Sequence, residues 1–524
     1  MKRLSRRRLL GTVALGLVAA PLAACGTTPA APTPEPAKPA APTAPPPPTT
    51  APQPTTAAPQ PTATAAPAAA AQPAATPTAA PKPAAPAGAA PKAGGAPITL
   101  IQWDFCEGPC EVVEPSIKQT IENFRKENPN VTIQLEMLNF DAGPQKFEVA
   151  LRAGTPPDVY HWAHSPKDVG TGLLVDLKPW LNEEDTQDIL KTPLDFMQYR
   201  GKVYHWATYT SVWCMAANKQ MLEEAKVDWR KIQKQGWTTD EFVEIAKSLT
   251  VPGKRWGYIW GDRVTSTGST AEQWAFMSRN FGVPYRMDPD GKWIFEGDGA
   301  VESIQWLIDT YQKHKISPPE TPGLKSTDAG DMYTRGEGAI FSRSGVWEIS
   351  GRQRTNEQIA AGKVQGTKFD SVLLPWPHHP KQPEVGWVAP FGIRAWRQKD
   401  YKGDAQTEAA AKYSRLRSID ESTFEPELIG VLPARKSADE KIVRAGKHPL
   451  LADGGAHYEF AQRYGGIGVL WWPKDLTPEI SAKVPEIEQK AWGPTYQGVI
   501  SGQKTAKQGV TELKQMAEQI LARP

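Results

Sequence analysis

EPSIKQTIENFRKENPNVTIQLEML, residues 114–138, changes its period in the middle. Ile117, Ile121 and Phe124 recur three and four residues apart, which places them on one face of a helix. Asn128-Pro129-Asn130 stops that helix, because proline has no amide to donate and asparagine favours turns. Beyond the stop, VTIQLEML alternates apolar and polar side chains, the period of a half-buried strand. The same reading extends to both sides. ITLIQW (98–103) is a short strand, QKFEVALRAG (145–154) a helix ending at Gly154, and PDVYHW (157–162) a third strand. Strand, helix, strand, helix, strand predicts an α/β fold with a mostly parallel sheet and right-handed crossovers. In such sheets ligands bind outside the carboxyl ends of the strands. Those ends here are Trp103-Asp104-Phe105 and Tyr160-His161-Trp162. Read as loop residues rather than alternating strand positions, these aromatic and polar groups point to a ligand face; the competing reading is core tryptophan.

Towards the N-terminus the chain leaves this pattern. Lys2, Arg3, Arg6, Arg7 and Arg8 open it without an acid, and Leu9 to Ala24 is almost entirely apolar. That run is too short to span a bilayer and reads as an export signal. Arg6-Arg7 resembles the twin-arginine signal, with general export as the alternative. Leu22-Ala23-Ala24-Cys25 resembles the bacterial lipobox, whose cysteine thiol is diacylated. Each buried methylene contributes about 0.8 kcal/mol, so two or more acyl chains anchor stably. Residues 26–97 hold 22 of the 51 prolines, no aromatic residue and four charges. They cannot bury enough apolar surface to offset the entropy of ordering, and are expected to form a disordered tether. Residues 1–25 are thus read as signal and lipobox, and 26–97 as a stalk that holds a cargo off the membrane.

The cargo, 98–524, carries all 19 tryptophans and exceeds the size at which single cores stop growing. Two lobes are expected. Five of the 60 basic residues lie in the signal, leaving the rest at about −2 against 57 acids. No basic domain suggests nucleic-acid binding. Cys106 and Cys110 in DFCEGPC have the spacing of a local disulfide in an oxidising compartment, with free thiols as the alternative. One C-x-x-x-C without a second ligand pair does not make a zinc site, and no metal is expected. Cys214, in TSVWCMAA, reads as a buried free thiol.

Several further segments carry a family resemblance. RAGTPPDVYHW, GLLVDLKPWL, RGKVYHWATYTSVWCMAANKQML, GWTTDEFVEIAKSLT, DPDGKWIFEGDGAVESIQWLIDTY, TRGEGAIFSRSGVWEI, GVLPARKSA and SGQKTAKQGVTELKQ occur in that order. Together with FRKENPNVTIQLE they resemble family 1 of the extracellular solute-binding proteins, the sugar-binding lipoproteins of ABC importers. One departure is Ala216-Ala217, where that family often has aromatic residues. The resemblance implies a type II periplasmic-binding-protein-like fold: two hinged α/β lobes, each with a mixed, mostly parallel sheet. Lobe 1 would be 98–209 plus 390–436, and lobe 2 would be 210–389 plus 437–524. It implies a carbohydrate ligand, an oligosaccharide, closed in the cleft and delivered to permease subunits. A monomer without cofactor is expected, exported and held on the outer face of the cell membrane by Cys25.

A pyranose has an apolar C–H face and a rim of hydroxyls, so its site needs aromatic faces and polar side chains together. The expected ligand residues are Trp103, Asp104, His161, Trp162, Tyr209, Trp347, Trp387, Trp471 and Trp472. Trp347 in RSGVW matches the family's ligand-stacking tryptophan after a glycine. For hydrolysis, G-x-S-x-G, S-x-x-K and H-E-x-x-H are missing, and SGQKT lacks the ending of a phosphate loop. An aromatic site also suits a cationic solute such as a polyamine or choline-like amine. A surface glycoside-acting lipoprotein remains a further alternative, as does a structural envelope lipoprotein that binds nothing.

Overall fold

The computed structural model describes residues 96–523, save 141, 164, 266 and 267. The expected export signal, Cys25 and all of the expected 26–97 tether but its last two residues lie outside the described residues. The first five elements follow the sequence periods. Strand β1 is Ile98–Phe105, helix α1 Cys110–Glu127, strand β2 Val131–Leu138, helix α2 Gly143–Ala153 and strand β3 Val159–Ala163. β2 and β3 both pair with β1 in parallel. α1 starts a turn earlier than Pro115 suggests. The Pro109 carbonyl accepts from the amides of Val112 and Val113, so the helix is already under way when proline arrives.

Two long strands organise the rest. β4 (Trp206–Asn218) has 13 residues, almost all buried, and at about 3.3 Å per residue spans roughly 40 Å. After it come β5 (Trp256–Ile259), helix α3 (Glu272–Asn280), β6 (Gly338–Gly345), helix α4 (Glu348–Ala360) and β7 (Ser371–Leu374). Then β8 (Gly386–Ala395) lies antiparallel to β4, and helix α5 (Asp404–Ile429) follows. The main path of the ten-stranded sheet runs β2-β1-β3-β8-β4-β6-β5, with β7 paired to β4. The sheet is mixed. Parallel pairs occur at β1–β2, β1–β3 and β5–β6, while β8–β3, β8–β4, β6–β4 and β7–β4 run antiparallel. The antiparallel share exceeds what the first three strands suggest, because β4 and β8 each cross the molecule and must be paired along their whole length.

The register of β4 on β8 shifts between Phe391 and Gly392. A Cβ at Gly392 would stand 2.5 Å from the Trp206 carbonyl oxygen and 2.6 Å from the His205 ring, so only glycine allows this approach. The apolar residues fall into separate cores. One gathers Leu100, Ile117, Trp206 and Tyr413, and a smaller one gathers Trp103, Phe147, Tyr160 and Trp396. A large core joins Val212, Phe242, Trp274 and Trp492. None of the helices among the described residues is long and apolar enough to cross a membrane.

Candidate ligand-binding site

Alternation along β1 sorts its last residues. Ile101, Trp103 and Phe105 belong to the core that holds Phe147 and Tyr160 of α2 and β3. Gln102 and Asp104 turn the other way, under α5. Tyr413 donates its hydroxyl to Gln102 Oε1 at 2.5 Å, and Gln102 Nε2 donates to Asp104 at 2.9 Å. Asp104 also accepts from the Phe105 amide at 2.8 Å and from Arg417 at 3.3 Å, and stands 3.2 Å from His161 Nδ1. Burial pushes its carboxyl up, but the Arg417 guanidinium and the His161 bond together bring it down to about 2. Arg417 also pairs with Glu421, one turn along α5. Burial keeps the His161 ring neutral by lowering its pKa, so the nitrogen not facing Asp104 is free to act as an acceptor.

One turn further, Glu425 is fully buried, and burial raises its carboxyl to about 8. Glu107, in the loop after β1, is raised well above the usual range by burial and then by the Glu425 and Asp104 charges. Tyr209 of β4 lies against Glu107, and burial followed by that carboxyl raises its phenol. Cys106 and Cys110 are joined by a disulfide that brackets Glu107.

Aromatic rings cover the adjoining surface in two groups. On one side Tyr209 stacks on Phe391 at 4.9 Å, Phe391 meets Trp162 at 5.8 Å, and Trp162 meets Phe105 at 4.4 Å. Phe140, which is 43% exposed, stacks on Phe105 at 5.2 Å and closes that row. On the other side Trp213 touches Trp347 at 4.9 Å and Trp387 at 5.1 Å, and Trp387 meets Phe276 at 4.2 Å and Trp471 at 4.9 Å. Arg279 lies over Trp387 and Trp471, with burial lowering its guanidinium to about 9. The rim of Trp347 is fixed by Gly345, where a Cβ would stand 2.1 Å from the indole ring. Chemically, both groups offer flat apolar rings, and the Tyr209–Phe391 row lies against the buried His161.

Residues 112–395 match the family model described as bacterial extracellular solute-binding protein. The chain belongs to that family. Among curated relatives, the maltotriose-binding protein of Pyrococcus abyssi is 20% identical over 286 residues, 53% of this chain and 55% of that protein. The chain thus spans about half the length of the curated relatives it matches. Among solved structures, an ABC substrate-binding protein from Listeria monocytogenes in complex with cycloalternan aligns at TM-score 0.62 and 16% identity, over 82% of this chain and 100% of the other. A sugar transporter from Arthrobacter chlorophenolicus with bound laminaribiose aligns at TM-score 0.62 and 15% identity, over 82% and 100%. These likenesses establish the two-lobed fold of the family, whose members here are binding proteins.

Within this family fold the residues expected from sequence separate. Asp104, His161 and Tyr209 come together under α5, with Trp162 beside them. Trp347, Trp387 and Trp471 come together around Trp213. Trp103 joins neither group. It is a strand residue rather than a loop residue, so alternation sends it to the face opposite Asp104, where Lys146 Nζ lies 4.4 Å over its ring. Trp472 is 3% exposed and packs on Arg286, at 4.5 Å, inside the large core. Sequence periodicity pointed to none of Arg417, Glu421, Glu425, Phe140, Trp213 or Phe276. Glu107 alone carried a local sign, a carboxyl set between two cysteines.

Proposed function

We propose that this chain is the lipid-anchored substrate-binding protein of an ABC transporter, capturing a carbohydrate, an oligosaccharide, between its lobes and presenting it to a membrane permease. The lobes would divide at the crossing strands, 98–209 plus 390–436 from 210–389 plus 437–524, and Cys25 would carry the lipid. The observation that supports the reading is the pair of aromatic groups, Trp213–Trp347–Trp387–Trp471 and the row from Tyr209 and Phe391 to Trp162, the second of which touches the buried polar side chains of β1, β3 and α5. The printed names of relatives support it: one is a maltotriose-binding protein, and solved neighbours hold cycloalternan and laminaribiose.

Capture requires the lobes to part. A ligand would enter an open form and be enclosed by hinge closure at β4 and β8. Isothermal titration of the protein with maltotriose, laminaribiose and longer glucans tests this. Saturable binding at micromolar or tighter affinity is expected. Failure of every saccharide to bind, with a permease-independent hydrolysis of any of them, would replace binding by a glycoside-acting function.

A further inference from the structure

The polar end of the site holds more acceptors than donors. Asp104, Glu107, Glu421 and Glu425 bring four carboxyls under the last two turns of α5. Asp104, Glu421 and Glu425 are at most 1% exposed, and Glu107 Oε1 is screened from solvent. Arg417 is the guanidinium among them, and it is already engaged by Asp104 and Glu421. Arg354 of α4 reaches the edge, where it donates to the Leu428 carbonyl at 3.4 Å. Neither oxygen of Glu425 has a hydrogen-bond partner among the described residues, and neither has Nε2 of His161, which is 1% exposed. His161 is not an acid, and with Nδ1 turned to Asp104 its second nitrogen presents a lone pair. Its ring stands edge-on to Tyr209 at 6.0 Å, and Tyr209 faces Glu107, so the unmatched acceptors share one neighbourhood.

The backbone adds to the same sign. α5 is 26 residues long, and its C-terminal end carries the negative pole of its dipole with no basic residue in the last turn. Among the described residues no three His, Cys, Asp or Glu side chains are grouped to hold a metal ion. What fits is a compact donor with several N–H bonds.

We infer that the ligand carries a basic nitrogen, an amino group on a sugar ring, and that Glu425 with Glu107 and His161 Nε2 receives it. This rests on the carbohydrate reading above and narrows it from neutral oligosaccharides to amino sugars. Without a cation, burial raises both carboxyls, that of Glu425 to about 8; the Asp104 charge adds to the rise in each, the Glu425 charge adds to that of Glu107, and Arg417 and Arg354 only partly offset the rise in Glu425. An ammonium group favours the ionised carboxylates, so its arrival displaces protons to solvent.

The test is isothermal titration of the full chain at pH 6 with a glucosamine trisaccharide, its N-acetylated counterpart, maltotriose and spermidine. Each titration is run in two buffers of different ionisation enthalpy. The glucosamine trisaccharide should bind at least tenfold tighter than either neutral saccharide, and its heat should differ between buffers in the sense of proton release. Glu425→Gln should erase both the tenfold preference and the proton release. The buffer dependence is read on the unaltered protein, so the inference stays testable if that variant does not fold. Equal or tighter binding of the neutral saccharides, without proton release, overturns the inference and leaves the carbohydrate reading standing. Binding of spermidine alone, or of no probe, overturns both.

Discussion

Trp213 on β4 and Trp387 on β8 are paired residues of one antiparallel ladder, and their rings meet at 5.1 Å. The two strands that cross the molecule therefore carry the centre of its aromatic surface. Trp347, Phe276 and Trp471 are added to that centre from three other segments. Any relative rotation of the lobes about β4 and β8 must move these rings with respect to the row Tyr209–Phe391–Trp162.

Trp347 is half-buried at the turn between β6 and α4, so its ring is not a large part of the fold's apolar support. Trp347→Ala should weaken saccharide binding by about 1 to 3 kcal/mol, roughly ten- to a hundredfold, with a near-normal melting temperature. Normal affinity with a lowered melting temperature would return this residue to the core.

Trp103 should behave in the opposite way. It fills the core between β1 and α2, so Trp103→Ala should cost about 3 to 5 kcal/mol of stability. Affinity measured well below the new melting temperature should stay within a few-fold of the unaltered protein. A large selective loss of affinity would place its ring at the ligand.

The Cys106–Cys110 bridge closes a very short loop, which limits its entropic contribution to about 2 kcal/mol. The bridge brackets Glu107, which lies near Tyr209 and Glu425, so its loss should free that carboxyl to move. Replacing both cysteines by serine should lower affinity by more than the small loss of melting temperature accounts for. In the exported protein both thiols should resist alkylation until reductant is added, as read by mass spectrometry.

Glu425 makes stability depend on pH. Its carboxyl titrates near 8 in the fold against an ordinary 4.5, so the folded state holds a proton that the unfolded chain has lost. Stability then falls as pH rises from about 4.5 towards 8. Asp104 acts with the opposite sign: its contribution is present above 3.8 and is lost as pH falls towards 2. Glu425→Gln should raise stability by ~1–3 kcal/mol at pH 8 and leave it nearly unchanged at pH 4.5. Denaturant melts at the two pH values measure this, and an equal effect at both would remove the titration argument.

Cys25 stands at the end of the expected export signal, outside the described residues. Cys25→Ser should move the protein from the detergent phase to the aqueous phase in a partition assay, and release it from cells. Unchanged membrane retention would overturn lipid anchoring through Cys25.

The local periods of the chain settled its first five elements, since the helix face of Ile117, Ile121 and Phe124 and the alternation of VTIQLEML are properties of neighbouring residues. The stop at Asn128 and the composition of 26–97 are equally local. The order of the motifs from FRKENPNVTIQLE to SGQKTAKQGVTELKQ then identified the family, and with it the two lobes. The site was another matter. Which of Trp103 and Asp104 lies under α5 depends on which helix covers each side of β1, and a strand shows both sides equally in sequence. Glu421 and Glu425 looked like ordinary charges on a helix, because nothing near them in the chain reveals that α5 lies over β4, β8 and β1. Their burial against Asp104, more than 300 residues away, exists only after the chain has returned across the sheet. Long-range pairing of strands and helices fixes which polar groups lose water, and that loss is what shifts the proton affinities of the carboxyls gathered under α5.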